Sequence, residues 1–137
     1  MKKILSGIVM AASCAFPASA ADIEITVNNI TEITGMLYWA VYDSAENYRA
    51  QSGPVMSARN RVSASTLSLT LHNMPAGRYA VRLFHDANGN GDLDSNALGI
   101  PTEGYGFSNN AGKFGPASFE DAAVDVQGDT RMAIRLR

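Results

Sequence analysis

Apolar and polar side chains alternate along much of this chain. Alternation marks strands, because successive residues of a strand point to opposite faces of a sheet. Ile23, Ile25 and Val27 alternate with Glu24 and Thr26, which predicts a first strand with one buried face. Gly35 to Tyr42 carries Met36, Leu37, Tyr38, Trp39, Val41 and Tyr42, a denser apolar run that suits a central strand. Leu67, Leu69 and Leu71 alternate with Ser68 and Thr70, and Tyr79, Val81 and Leu83 alternate with Ala80, Arg82 and Phe84. With the turn residues of Asn73-Met74-Pro75-Ala76-Gly77 between them, these two runs are expected to form a hairpin. Ala123 to Val126 and the set Met132, Ile134 and Leu136, separated by Gly128-Asp129, predict a second hairpin. Only Asp43 to Ala50 suits a helical turn.

Short strands with almost no helical period predict an all-β fold, a single antiparallel β-sandwich of transthyretin-like or immunoglobulin-like type. Tyr79, just after the turn at Pro75 to Gly77, resembles the tyrosine-corner device of such sandwiches. Trp39, Leu69, Tyr79, Val81 and Leu83 are the expected core. The segment Asp86 to Phe119 breaks the pattern: it has no periodicity and holds seven of the twelve glycines. It also carries Ile100, Pro101, Tyr105, Phe107, Phe114 and Phe119, whereas disordered linkers are poor in aromatics. The expectation is therefore one long ordered Gly/Asn-rich loop, with its aromatics packed over an end of the sandwich.

The N-terminus reads as a signal peptide over residues 1–20. Lys2 and Lys3 precede an apolar run from Ile4 to Phe16, and Ala18-Ser19-Ala20 supplies a cleavage site. That run is shorter than the ~20 residues needed to cross a bilayer, so no stable membrane span is expected after cleavage. A lipid anchor on Cys14 is the weaker alternative, because Ala11-Ala12-Ser13 lacks the usual preceding leucine. The expected mature chain, residues 21–137, is one domain in the periplasm or secreted, without the sole cysteine and hence without a disulfide. Loss of Lys2 and Lys3 reduces the 11 basic residues to 9 against 13 acidic ones, a net charge of −4. With no basic patch among its scattered arginines, a nucleic-acid partner is not expected.

Candidate chemistry lies in Asp86-Ala87-Asn88-Gly89-Asn90-Gly91-Asp92-Leu93-Asp94, where side-chain oxygens recur at alternate positions around a glycine. Calcium takes 6 to 8 oxygen ligands, and a short chain must turn sharply to aim them inward. Asp86, Asn88 and Asn90 would offer side chains, Asp92 its carbonyl, and Asp94 a carboxylate directly or through water. Gly91 would permit the turn, and Leu93 would anchor the loop in the core. Ala97 stands where an EF-hand has its bidentate glutamate, so the missing ligand must come from elsewhere or from water; Glu103, which Gly99-Ile100-Pro101 could turn back, is the nearest later carboxylate. Affinity for Ca2+ should then be weak, on the order of 10⁻⁴ to 10⁻³ M. The competing explanation is plain turn chemistry, since Asn and Asp favour Asx-turns without any metal. His72 and His85 lie near opposite ends of the expected hairpin strands, and Ser108 lacks a nucleophile-elbow pattern.

The motifs His85-Asp86-x-Asn88-x-Asn90-Gly91-x-Leu93-Asp94, Gly99-Ile100-Pro101-x-Glu103-Gly104-Tyr105-Gly106-Phe107-Ser108-Asn109-Asn110, Phe114-Gly115-Pro116 and Phe119-x-Asp121-Ala122 resemble an uncharacterised bacterial secreted family, domain of unknown function number twenty-one forty-one. The resemblance implies a Gram-negative envelope location and no assigned activity, and its likeness to transthyretin-like sandwiches is a fold analogy only. The leading functional expectation is a non-enzymatic exported module, with calcium fixing the loop and Tyr105, Phe107 and Phe114 facing a protein or glycan partner. The alternatives are a hydrolase-type enzyme using His85, Asp86 and Glu103, and a purely structural envelope protein.

Overall fold

A computed structural model describes residues 20–137, so the expected signal peptide lies outside the described residues apart from its last position. Two sheets pack face to face as an all-β sandwich. Strand β1 (Ala21–Asn28) is central in the first sheet, between β4 (Leu67–Met74) and β8 (Thr130–Arg135). The second sheet runs in the order β3 (Met56–Arg61), β2 (Met36–Tyr42), β5 (Gly77–Asp86) and β6 (Tyr105–Phe107), with β7 (Val124–Val126) paired to the start of β5. Helix α1 (Ala45–Ala50) follows β2 and helix α2 (Phe119–Ala122) precedes β7, each N-capped by a serine, Ser44 and Ser118.

Alternation places Ile23, Ile25 and Val27 of β1 against Leu37, Trp39 and Val41 of β2 and Tyr79, Val81 and Leu83 of β5, joined by Leu69, Leu71, Ile134 and Leu136. All five expected core residues lie in this cluster. The buried Trp39 indole N–H donates to the Asn60 side chain at 2.8 Å, so the core's largest side chain is anchored to the edge strand. That edge strand, β3, is missing from the alternation pattern because nearly all its residues are exposed. Its Arg59 and Arg61 guard an open edge against pairing with another chain.

Both expected hairpins are corrected. Strand β4 pairs with β1 and β5 with β2, so the Pro75 turn carries the chain from one sheet to the other instead of closing a hairpin. The Tyr79 hydroxyl donates to the Pro75 carbonyl at 2.6 Å and pins that corner, the geometry the sequence suggested. Likewise β7 pairs with β5 while β8 crosses to lie parallel to β1, so one pair in the sandwich is parallel. A strand arriving from the opposite sheet is not bound to run antiparallel, as one turning back through a tight hairpin is. Beyond β8, Arg137 and Tyr105 exchange two backbone hydrogen bonds of 3.0 and 3.2 Å, which stitches the two sheets together on that side.

The segment Asp86 to Phe119 is subdivided. It contains β6, a 3-10 turn at Ser108–Asn110 and the start of α2. Its aromatics separate accordingly: Phe107 and Phe119 are buried, Tyr105 is half-buried and Phe114 is fully exposed. Phe107, Phe119, Ala117 and Ala122 join Tyr42, Tyr48 and Ala80 in a second, smaller core on the outer face of the second sheet. The buried Ser108 hydroxyl ties this layer to β5, accepting from Val81 N at 2.9 Å and bonding the Ala122 carbonyl.

Candidate functional site

Residues 86–94 leave the end of β5 and fold back on themselves through side-chain oxygens. Asp86 is fully buried, and its two carboxylate oxygens accept from Asn90 N at 3.2 Å and Gly91 N at 2.8 Å. Gly91 takes φ +82°, the left-handed conformation that the sharp turn requires. Asn88 Oδ1 accepts from Asn90 N at 3.2 Å and Asn90 Oδ1 from Asp92 N at 3.0 Å, two successive Asx-turns. The side-chain amides of both asparagines then donate to Asp94, Asn90 at 2.6 Å. These bonds, Asn90's first, hold the Asp94 carboxyl below its ordinary range.

From Asp94 the chain makes a narrow hairpin. Ser95 bridges Pro101, Thr102 N donates to Asp94 O at 2.8 Å, and the Asn96 side chain caps Leu98 N and Ile100 N around Gly99. The return brings Glu103 back to the loop, where Oε2 accepts from Ala87 N at 2.7 Å and Oε1 from Asp94 N at 2.9 Å. Glu103 therefore clasps both ends of the oxygen-rich segment. Asp86, Asn88, Asn90, Asp94 and Glu103 belong to one hydrogen-bonded unit, and the exposed Asp92 engages it through its backbone.

Among the described residues no group of three or more His, Cys, Asp and Glu side chains is placed to hold a metal. A calcium shell draws equally on amide and backbone oxygens, so the donor chemistry still suits a hard cation. Each carboxylate oxygen that accepts one N–H keeps a further lone pair. The two Asn amides would have to turn their oxygens inward, because here their nitrogens face Asp94. Leu93 is corrected: it is half-buried and lines an outer groove, outside the main core cluster.

His85 points the other way. It is 3 % exposed, and its ring Nε2 lies 2.6 Å from the Thr34 carbonyl. A carbonyl only accepts, so Nε2 carries the proton, and the bond ties β5 to the β1–β2 connection. As neighbours on one strand, His85 and Asp86 face opposite sides of the sheet. Asp86 and Glu103 both accept hydrogen bonds from backbone N–H groups of the loop. His72 is exposed and pairs with Asp22 at 3.4 Å.

A feature that the alternation analysis missed lies on the outer face of the second sheet. Opposed residues across strands share a face. One such row reads Arg59, Tyr38, Phe84 and Tyr105 across β3, β2, β5 and β6; the next reads Ser57, Ala40, Arg82 and Phe107. Tyr38 and Phe84 are stacked at 5.1 Å and 4°, while the small Ser57 and Ala40 leave a hollow beside them. The result is a groove of about 680 Å³, walled at one end by Gly91, Asp92 and Leu93 and at the other by Gln51 and Pro54. Arg82 enters it from between two rings, 5.1 Å from the Tyr48 centroid and 5.8 Å from that of Phe107. Burial pushes the Tyr48 phenol above its ordinary value against the opposing pull of Arg82, and its hydroxyl donates to Ala117 O at 2.8 Å. The available signal was the outward side of β2 and β5, where Tyr38, Tyr42 and Phe84 stand in place of polar residues. A strand apolar on both faces is covered or contacted on both.

The fold and this face define an all-β sandwich domain with a grooved outer sheet and an oxygen-rich loop at the groove's end. The chain belongs to the family described as "Uncharacterized protein conserved in bacteria (DUF2141)", whose model matches residues 25–134. No curated protein and no solved structure matches it significantly.

Proposed function

We propose that this chain is an exported, non-enzymatic binding module of the bacterial envelope or extracellular space, with calcium setting the loop that walls its ligand groove. The observation that carries the reading is the half-open aromatic groove whose one wall, Gly91 to Leu93, belongs to the same hydrogen-bonded loop as Asp86, Asp94 and Glu103. Open apolar grooves of a few hundred Å³ with a few polar groups are the usual form of a ligand site. Tyr105 and Phe107, two of the three aromatics expected to meet a partner, line the groove; exposed Phe114 is not part of the lining. Asp86, Asn88, Asn90, Asp94 and Glu103 would hold the cation with the Asp92 carbonyl, and the cation would supply charge that keeps these oxygens together.

Calorimetric titration of the purified protein with calcium, with melting followed in parallel, tests the metal. Saturable heat is expected with a dissociation constant on the order of 10⁻⁴ to 10⁻³ M. At free calcium of about 100 times that constant, linkage adds ~2.7 kcal/mol of stability. Neither heat nor a melting shift up to that calcium concentration would leave the loop as Asx-turn chemistry alone. The start of the mature chain at Ala21 is tested by the intact mass of the exported protein; a retained leader or a lipid on Cys14 refutes that start.

A further inference from the structure

The Arg82 guanidinium is half-buried in the groove, and among the described residues no carboxylate lies within ion-pair distance of it. Among the described residues the guanidinium makes one hydrogen bond, a long contact of 3.4 Å to the Tyr48 carbonyl, out of the five N–H donors that it offers. A partly desolvated cation is ordinarily paired. Here two aromatic rings flank it, and the groove that it lines also takes in Ala40 and Ser57 of the same cross-strand row. Arg59 adds a second cation on the same lining, its Nη1 3.5 Å from the Tyr38 hydroxyl.

At the Phe84 end Asp92 and Leu93 come in with the loop, Arg59 stands at the outer edge of that row, and the stacked Tyr38 and Phe84 rings give an apolar stretch between them. The cationic fork of Arg82 lies one row further, towards α1. An occupant satisfying both has an apolar body against Tyr38 and Phe84 and an anionic group at Arg82.

We propose that the groove binds a small amphipathic anion, an apolar body bearing a carboxylate or phosphate, with Arg82 as the residue that takes the anionic group. This rests on the groove being the ligand site of a binding module. The matching probes are naphthoate, naphthyl phosphate and the neutral naphthalenemethanol, each titrated calorimetrically into the purified protein. At least one acid should bind about tenfold or more tighter than the alcohol, as expected for charge-assisted hydrogen bonds to a guanidinium. Which acid wins separates a carboxylate ligand from a phosphate one.

Arg82→Met keeps the stem packing, and in a variant that melts as wild type it should erase the preference for the acid over the alcohol. Arg82→Lys, which keeps charge but loses the planar fork, should retain only part of it. Ser57→Trp fills the hollow from the exposed edge strand and should abolish binding of all three probes, with calcium-induced stabilisation unchanged. Equal binding of acid and alcohol by the wild type overturns the assignment while leaving the groove a ligand site, and needs no variant to interpret. An acid preference that survives in Arg82→Met overturns the role of Arg82. Failure of all three probes to bind removes both the assignment and the groove as a small-ligand site, leaving the calcium titration to stand or fall by itself.

Discussion

Glu103 makes the sharpest test of how the loop is held. Its two carboxylate oxygens accept from Ala87 N and Asp94 N at 2.7 and 2.9 Å, which closes the segment between them into a ring. Hydrogen bonds to a charged group contribute about 1.5 to 3 kcal/mol each when protected from solvent. Glu103 is half-buried, and water can replace part of the loss, so Glu103→Ala should cost about 2 to 4 kcal/mol in the loop's stability. Glu103→Gln should cost about half as much, because its amide oxygen still accepts one N–H while its NH2 opposes the other. The loss is local if the loop opens without the sandwich, so two assays are required. Urea unfolding reports the global change, and amide hydrogen exchange at Ala87 and Asp94 reports the clasp itself. Both amides should lose protection in Glu103→Ala. If they stay protected and the unfolding midpoint is unmoved, the clasp does not hold the loop. If Glu103 also replaces the glutamate absent at Ala97, its removal weakens calcium binding; an unchanged affinity would mean that water or backbone completes the shell.

Three further outcomes are expected. Leu83→Ala, at a core position, should cost ~2 to 5 kcal/mol by urea unfolding; a loss below ~1 kcal/mol would contradict the packing of β5 against the first sheet. Tyr79→Phe removes the bond that pins the Pro75 corner and should cost about 1 kcal/mol. Burial raises the Tyr79 phenol above its ordinary value, so wild-type stability is unaffected by this group below about pH 10 and falls above it; in Tyr79→Phe that alkaline decline should shrink. Asp94 is shifted the opposite way, by the Asn90 and Asn88 amides, so its contribution is complete above the ordinary aspartate value of about 4 and is lost as pH falls below it. Calcium binding, followed by calorimetry across that window, should weaken with it; affinity unchanged well below pH 4 would remove Asp94 from the shell.

The strands that face the core were legible because a buried face imposes period two on the side chains. Ile23, Ile25 and Val27, Leu69 and Leu71, and Tyr79, Val81 and Leu83 all fill the interior as the alternation indicates. The oxygen-rich loop was legible too, since its Asx-turns depend on residue type and local spacing, as did the return of the chain at Gly99. Partner choice was decided by tertiary structure. A turn between two alternating strands reads the same whether they pair with each other or cross to opposite sheets, so the Pro75 corner and the parallel β1–β8 pair had no local signature. Strand β3 was silent because an exposed edge buries no face, and only its ladder to β2 defines it. The groove depended on register across four strands, which set Ala40 and Ser57 beside Arg82 and stacked Tyr38 on Phe84. Residues so far apart in the chain become neighbours only when pairing is complete, and pairing follows from how both sheets close around one core.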